Sequence, residues 1–303
     1  DVSMFQPMKR SRAFELLYES LIANYASLER DNIPFQRPSI LYVLPSNIGN
    51  LLGTVNVLMD WKRRVGYEVN YISSSNIVND AGDLKSYIET AYQGWENPPE
   101  YVTIIADAEG NYDIPTHFEN WSGYNGEGDH PYSTLVGNDL LPEVFIGRLS
   151  FNSTNSLQTI ISKTLNYESN PYMGENWFQR ACLVGDASTS GISCIITNNN
   201  IKEVLELHNF NDIRTVYGGS FPSQMNNNLS DGLGFFNYRG YYGVSGYSVN
   251  DVNNANTGPM LPIATVITCG TGSFGGGESL SEAFLRAGTA SSPKGSVACI
   301  GTA

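Results

Sequence analysis

The residues of this chain best suited to chemistry lie where apolar runs give way to glycine. Leu261-Pro-Ile-Ala-Thr-Val-Ile-Thr-Cys269-Gly-Thr-Gly-Ser-Phe274 reads as a buried strand delivering a thiol to its tip, followed by a loop built on Gly270, Gly272, Gly275, Gly276 and Gly277. A thiol nucleophile needs that exposure, with backbone N–H groups close enough to hold a tetrahedral oxyanion. Glycines let a substrate carbonyl approach such backbone closely. The same run also fits a buried structural cysteine before a glycine-rich turn, and spacing alone leaves both readings open. A second strand-to-glycine transition, Gly234-Phe-Phe-Asn237-Tyr238-Arg239-Gly240-Tyr241-Tyr242-Gly243, carries aromatics and by itself reads as a packed aromatic corner. A third segment is polar: Asp113-Ile-Pro115, Asp129-His-Pro-Tyr132 and Gly137-Asn-Asp139 offer carboxylates that would orient a base or line a specificity pocket, although singly these are ordinary turn residues. In an open α/β sheet such groups gather outside the carboxyl ends of the strands.

The elements that must position them alternate along the chain. Phe14, Leu17, Leu21, Tyr25 and Leu28 recur every three to four residues and predict a helix over Met8 to Leu28, broken by Pro34 and Pro38. Strands follow at Ile40 to Leu44, Tyr67 to Ile72, Tyr101 to Ala106 and Val144 to Gly147, with helices at Leu51 to Arg64, Asp83 to Tyr92 and near Asn155 to Tyr167. Glu109 to Leu141 reads as one long polar loop, and loops of that length in compact proteins are usually functional. After a linker near Asn170 to Glu175 the alternation resumes. Strands are expected at Ala181 to Val184, Arg214 to Tyr217, Gly234 to Tyr238, Ile263 to Thr268 and Gly295 to Ile300. Helices are expected near Asn198 to Leu207, Ser223 to Leu229 and Leu280 to Ala287. Continuous apolar strands suit parallel sheets covered on both faces. The expected fold is therefore α/β, with a leading helix and linker over 1–37, a first α/β subdomain over 38–172, and a second over 173–303 that carries Cys269.

Composition narrows the partners. With 303 residues, 41% apolar and 16% charged, the chain is an ordered protein with a sizeable core. A formal charge of −13 repels phosphate backbones and anionic lipid, so nucleic acid is not an expected partner. No stretch approaches the roughly 20 apolar residues of a spanning helix. Four cysteines, none in a CxxC pair, and three histidines make a zinc site or a disulfide framework unlike this sequence. Cys182 and Cys299 sit in apolar runs as small buried thiols. No cofactor is required. The acidic surface would accept Ca²⁺ as a structural ion, although no EF-hand loop is present. The nucleotide-binding class fares worse, because neither a GxGxxG after the first strand nor a Walker-type Lys-Ser/Thr is found. The chain opens at Asp1 and stops just after the apolar run Cys299 to Ala303, and both ends read as cut from something longer.

Taken together, the segments carry a resemblance. Asp60-Trp-Lys62 through Gly66, Asp113-Ile-Pro115, Asp129 to Tyr132, Gly137-Asn-Asp-Leu-Leu-Pro-Glu-Val-Phe-Ile-Gly-Arg148, Asn237-Tyr238, Cys269 and the closing Gly295 to Gly301 strand follow the order of the gingipain family of cysteine peptidases, from about Ile40 to Ala303. The resemblance implies a caspase-like fold of two adjacent α/β halves, with mostly parallel sheets and flanking helices. It implies Cys269 as nucleophile, Asp113 near the acid that steadies a histidine, and Asp129 in the pocket for the residue before the cut, hence cleavage after Arg or Lys. It also implies a secreted or surface-exposed bacterial protein acting on peptide or protein chains, with self-association or flanking domains of the same precursor as further partners.

One position departs from the family. Where the family writes Asn-Tyr-x-Gly-His-Gly, this chain has Asn237-Tyr-Arg-Gly240-Tyr241-Tyr242, so a phenol stands at the histidine position. The Gly240 to Tyr242 turn, with the Cys269 N–H, remains the expected oxyanion site. A free thiol without a cationic partner is only a few per cent thiolate at neutral pH, and a tyrosine, ionising near 10, replaces an imidazole poorly. His117 and His130, on the long polar loop, are the candidate substitute bases, and His208 ends a helix. Two functions follow: a thiol endopeptidase, or a peptidase-fold surface, adhesion or assembly protein whose catalysis is impaired.

Overall fold

The computed structural model describes residues 9–27, 33–76 and 80–303. In chain order the strands of the first half are β1 (Ser39–Leu44), β2 (Glu68–Ser73), β3 (Tyr101–Ile104), β4 (His117–Trp121), β5 (Tyr124–Gly128) and β6 (Phe145–Arg148). Its helices are α1 (Arg12–Leu21), α2 (Leu52–Arg64), α3 (Ala81–Gly94) and α4 (Thr154–Ser169). Four strands form a parallel sheet in the order β2-β1-β3-β6. The central strand β1 is buried at every position. Its Ile40, Tyr42 and Leu44 pack with Val55, Leu58 and Met59 of α2 and Leu157 and Ile160 of α4. Leu41 and Val43 pack on the other face with Leu84 and Ile88 of α3. This is the physical reason for an unbroken apolar run: both faces of the strand lie in the core.

The second half holds β7 (Arg180–Gly185), α5 (Ala187–Ser190), α6 (Ser193–Leu207), β8 (Asp212–Val216), α7 (Phe221–Ser230), β9 (Phe235–Arg239), α8 (Val249–Val252), β10 (Ile263–Val266), α9 (Leu280–Arg286) and β11 (Ala298–Gly301). The five strands are parallel in the order β11-β10-β9-β7-β8. On one face Phe236, Tyr238, Ala264 and Val266 pack against α7, α8 and α9. On the other, Asn198 of α6 donates to Val184 O (2.9 Å) and accepts from Asn237 Nδ2 (2.6 Å), while Thr265 Oγ1 donates to Asn237 Oδ1 (2.6 Å). This buried polar ladder is satisfied throughout and fixes β9 and β10 in register beneath their tips.

The halves are pinned through α9. Ser279 and Glu282 form a capping box at its start, and Glu282 also pairs with Arg286 at 2.7 Å. Arg286 Nη2 reaches Asp107 Oδ2 (2.7 Å) and Ser150 Oγ (2.6 Å), both just past strand ends of the first sheet. At the far end of α9, the buried Lys163 of α4 donates to Phe284 O, Leu285 O and Ser296 O at 3.2, 2.8 and 3.3 Å. A cation on the last carbonyls of a helix is well placed, yet burial still pushes its amine down to about 7.

Two expectations change. The leading helix is shorter than Met8 to Leu28: α1 ends at Leu21, and a 3₁₀ turn covers Tyr25–Ser27, with Met8 and Leu28 outside the described residues. The turn-forming Asn24 follows β-branched Ile22, whose backbone is already extended. The long loop is not structureless, because it contains the antiparallel β4–β5 hairpin. Its two-residue turn, Ser122-Gly123, has positive φ at both positions, as a type I′ hairpin turn requires.

Candidate active site

The tips of β9 and β10 meet at Cys269. Tyr242 pairs with Cys269 beyond the regular strands, the Gly243 N–H donates to Cys269 O (2.9 Å), and Thr268 Oγ1 donates to Gly243 O (2.9 Å). Of the four cysteines, all unbridged, Cys269 is the exposed one. Burial pushes the Cys182 and Cys299 thiols up to about 12, which makes them poor nucleophiles. Gly270 turns at φ +78°, a backbone conformation that favours glycine, and a Cβ there would also push the exposed Tyr242 ring, 2.9 Å away at Cζ, aside. The Gly270 N–H has no acceptor among the described residues. Gly272 packs directly on the backbone of Gly301 and Thr302, and its N–H donates to Thr302 O (2.8 Å). The loop beyond is held by the first half: Gly275 N–H donates to Glu127 Oε1 and Gly277 N–H to Glu109 Oε1, each at 2.7 Å.

The turn leaving β9 is buttressed from below. Tyr238 Oη accepts from Ser245 N–H (3.0 Å), and Ser245 Oγ donates to Asp186 at the tip of β7. Although burial pushes the Asp186 carboxyl up, hydrogen bonds from Ser245 and Ser188 hold it below its usual range. Above this support Tyr241 and Tyr242 stand 67% and 74% exposed, Tyr242 being the residue paired with Cys269.

The carboxylates and histidines occupy different settings. Asp113 is exposed after the Gly110–Tyr112 turn, its backbone bridged to Asp107. Asp129 is enclosed: Arg148 Nε and Nη2 grip its two oxygens at 2.7 and 2.8 Å, and Thr116 Oγ1 donates at 2.9 Å. His117 packs edge-on against Tyr132 with centroids 4.6 Å apart, and its Nε2 is buried without a hydrogen-bond partner among the described residues. Burial, followed by the nearby Lys85 charge, lowers its pKa. Phe118 and Glu127 face each other across the hairpin and touch Gly275, so alternation sends His117 to the opposite face, away from the Cys269 loop. His130 is exposed with Nε2 3.1 Å from Leu140 O, and His208 is the exposed C-cap of α6. Among the described residues no hydrogen bond joins Cys269 to an imidazole, and no group of three or more His, Cys, Asp or Glu is placed to hold a metal ion. The Glu109 and Glu127 anchors, and the role of Arg148, were not foreseen from sequence. Arg148 ends the most specific motif, and that was its one visible signal.

Two parallel sheets with an exposed cysteine on a glycine turn at a strand tip are an arrangement that suits thiol-peptidase chemistry. More particularly, residues 33–303 match the model of peptidase family C25, and the chain belongs to that family. Gingipain R2 of Porphyromonas gingivalis is 25% identical over 301 residues, which cover 95% of this chain and 40% of that protein. Lys-gingipain of the same species is 23% identical over 198 residues, covering 59% of this chain and 11% of that one. The crystal structure of the Arg-specific cysteine proteinase gingipain R superposes with a TM-score of 0.76 at 26% identity, over 87% of this chain and 62% of that one. The complex of the RgpB pro- and mature domains gives 0.77 at 26% identity, over 86% and 63%. The chain thus spans about two fifths of the length of the gingipain R2 it matches.

Proposed function

We propose that the domain is a thiol endopeptidase toward peptide and protein chains in which Cys269 is presented without an imidazole, so that turnover at neutral pH is slow. The observation that carries this reading is the exposed Cys269 paired to Tyr242 on a turn without a histidine; the resemblance adds that Tyr241 stands where the family has its histidine. Cys269 Sγ attacks the scissile carbonyl carbon, forming a C–S bond and a tetrahedral oxyanion. The Cys269 N–H and the Gly240–Tyr242 turn supply the donors, with the adjacent Gly270 N–H, which has no acceptor among the described residues, as a further one. Collapse breaks the C–N bond, the amine leaves with a proton taken from water, and a water molecule then cleaves the thioester and returns the thiol. Without a positioned acid–base group the rate forfeits on the order of 10²–10⁴-fold. Asp113, exposed and with no hydrogen bond to an imidazole among the described residues, is assigned no step.

The resemblance extends to a secreted or surface-exposed protein with flanking domains of the same precursor. Among the described residues no helix is long and apolar enough to cross a membrane. The test is cleavage of a denatured protein followed by mass spectrometry. Slow cleavage should vanish in Cys269→Ala and rise by about 10²–10⁴-fold at neutral pH in Tyr241→His. No cleavage by either thiol-bearing form at any pH would instead favour the second reading, a peptidase-fold surface or assembly protein that presents Tyr241 and Tyr242 to a partner.

A further inference from the structure

Tyr242 is the residue paired with Cys269, and paired residues of neighbouring strands project their side chains from the same face. The Gly243 N–H on Cys269 O (2.9 Å) and the Thr268 hydroxyl on Gly243 O (2.9 Å) fix that pairing. From this position the Tyr242 ring reaches across to the residue after the thiol. Its Cζ lies 2.9 Å, and its hydroxyl 3.0 Å, from the point where a Cβ on Gly270 would stand. Glycine at 270 therefore leaves room for the phenol. That hydroxyl makes no hydrogen bond among the described residues, and the side chain is exposed. The phenols packed beneath it are engaged: Tyr238 Oη accepts from the Ser245 N–H at 3.0 Å, and Tyr247 Oη donates to Asn226 Oδ1 at 2.7 Å.

We infer, on the reading of Cys269 as a thiol that accepts acyl groups, that the Tyr242 hydroxyl is a catalytic hydrogen-bond donor to the oxyanion. When the Cys269 sulfur adds to a substrate carbonyl, a C–S bond forms and the carbonyl π pair moves to oxygen. An O–H aimed at that oxygen bonds it more strongly as charge develops, which is the kind of contact that lowers a barrier. A phenol holds its proton at neutral pH. The residue therefore neither deprotonates the thiol nor protonates the leaving group. A tyrosine replaces an imidazole poorly as a base, yet its O–H is a good donor.

The test compares two reactions of one thiol at neutral pH, read by intact mass with Cys269→Ala as background. p-Nitrophenyl acetate acylates Cys269 through an oxyanion and expels p-nitrophenolate, which needs no acid to leave; the thiol proton passes to buffer. Chloroacetamide alkylates the same sulfur by displacing chloride, with no oxyanion. Tyr242→Phe keeps the ring and removes only the hydroxyl at an exposed position. It should slow acylation by at least about tenfold and leave alkylation within about twofold. Acylation as fast in Tyr242→Phe as in wild type overturns the inference. An equal fall in both reactions also overturns it, because the hydroxyl would then act on the thiolate. In either case a wild-type ratio of acylation to alkylation above that of free N-acetylcysteine keeps Cys269 as an acyl acceptor. A wild-type ratio no higher than that of N-acetylcysteine overturns both.

Discussion

The carboxyl ends of the two sheets are built on opposite terms. At the first sheet, Asp107, Asp129, Arg148 and Glu127 are all committed to internal hydrogen bonds, and Asp107 serves both arginines, giving its carbonyl to Arg148 and its carboxylate to Arg286. At the second sheet, Cys269, Tyr241 and Tyr242 face solvent on a turn whose bonds lie beneath it, in Tyr238, Ser245 and Asp186. One half is a wall whose charges are spent on internal bonds, Asp129 and Arg148 within the half and Asp107 and Glu127 to the other half. The other half displays the reactive group. Polar residues clustered at strand ends therefore do not by themselves mark a site, and what separates the two regions is which groups remain available to a ligand.

That contrast can be broken most forcefully at the pin between the halves. Arg286→Met removes the partner of both Asp107 and Glu282, and burial already raises the Glu282 pKa against the pull of Arg286. Breaking such a buried pair costs about 3–5 kcal/mol, so the midpoint of urea unfolding should fall sharply. On the displayed side, Gly270→Ala forces a non-glycine residue to φ +78° against the Tyr242 ring. A loss of about 1–3 kcal/mol is expected in the same assay, with altered Cys269 alkylation.

Lys163 gives a pH test. Its amine is held at about 7, below the ordinary 10.5, by burial. Below pH 7 folded and unfolded chains both carry the proton and the full burial cost stands. Between pH 7 and 10.5 the unfolded chain binds more protons, so this group makes stability rise with pH. Cys182 and Cys299, raised to about 12, act in the opposite direction above about pH 9. The informative quantity is therefore the stability difference between wild type and Lys163→Met, which should grow in favour of wild type from pH 7 to 10. A flat difference would mean that the three carbonyls keep the proton on. The smallest effect is at His117, whose proton NMR titration midpoint should lie below the usual 6.5 because its ring is buried.

The fold was largely legible because its central strands are covered on both faces and so read as unbroken apolar runs, as in Ser39–Leu44 and Arg180–Gly185. Cys269 was legible as one of two readings, an exposed tip or a buried structural thiol, and its exposure in the fold selects the first. The β4–β5 hairpin was missed because Asn120, Asn125, Gly126 and Gly128 are weak strand formers, although Ser122-Gly123 was a turn signal. The bonds of Arg148 and Arg286 join residues far apart in sequence, and no local pattern says which carboxylate each will meet. Lys163 gave a faint sign, falling on the buried face of α4 beside Thr159 and Ile160.

The most direct test of a thiol displayed without an imidazole is the rate of Cys269 alkylation by chloroacetamide at neutral pH, followed by intact mass in wild type, His117→Ala, His130→Ala and Tyr241→His. The wild-type rate should be unchanged in His117→Ala and His130→Ala and should rise in Tyr241→His. A rate that falls in His117→Ala or His130→Ala would show that Cys269 already has an imidazole partner, and would contradict the account.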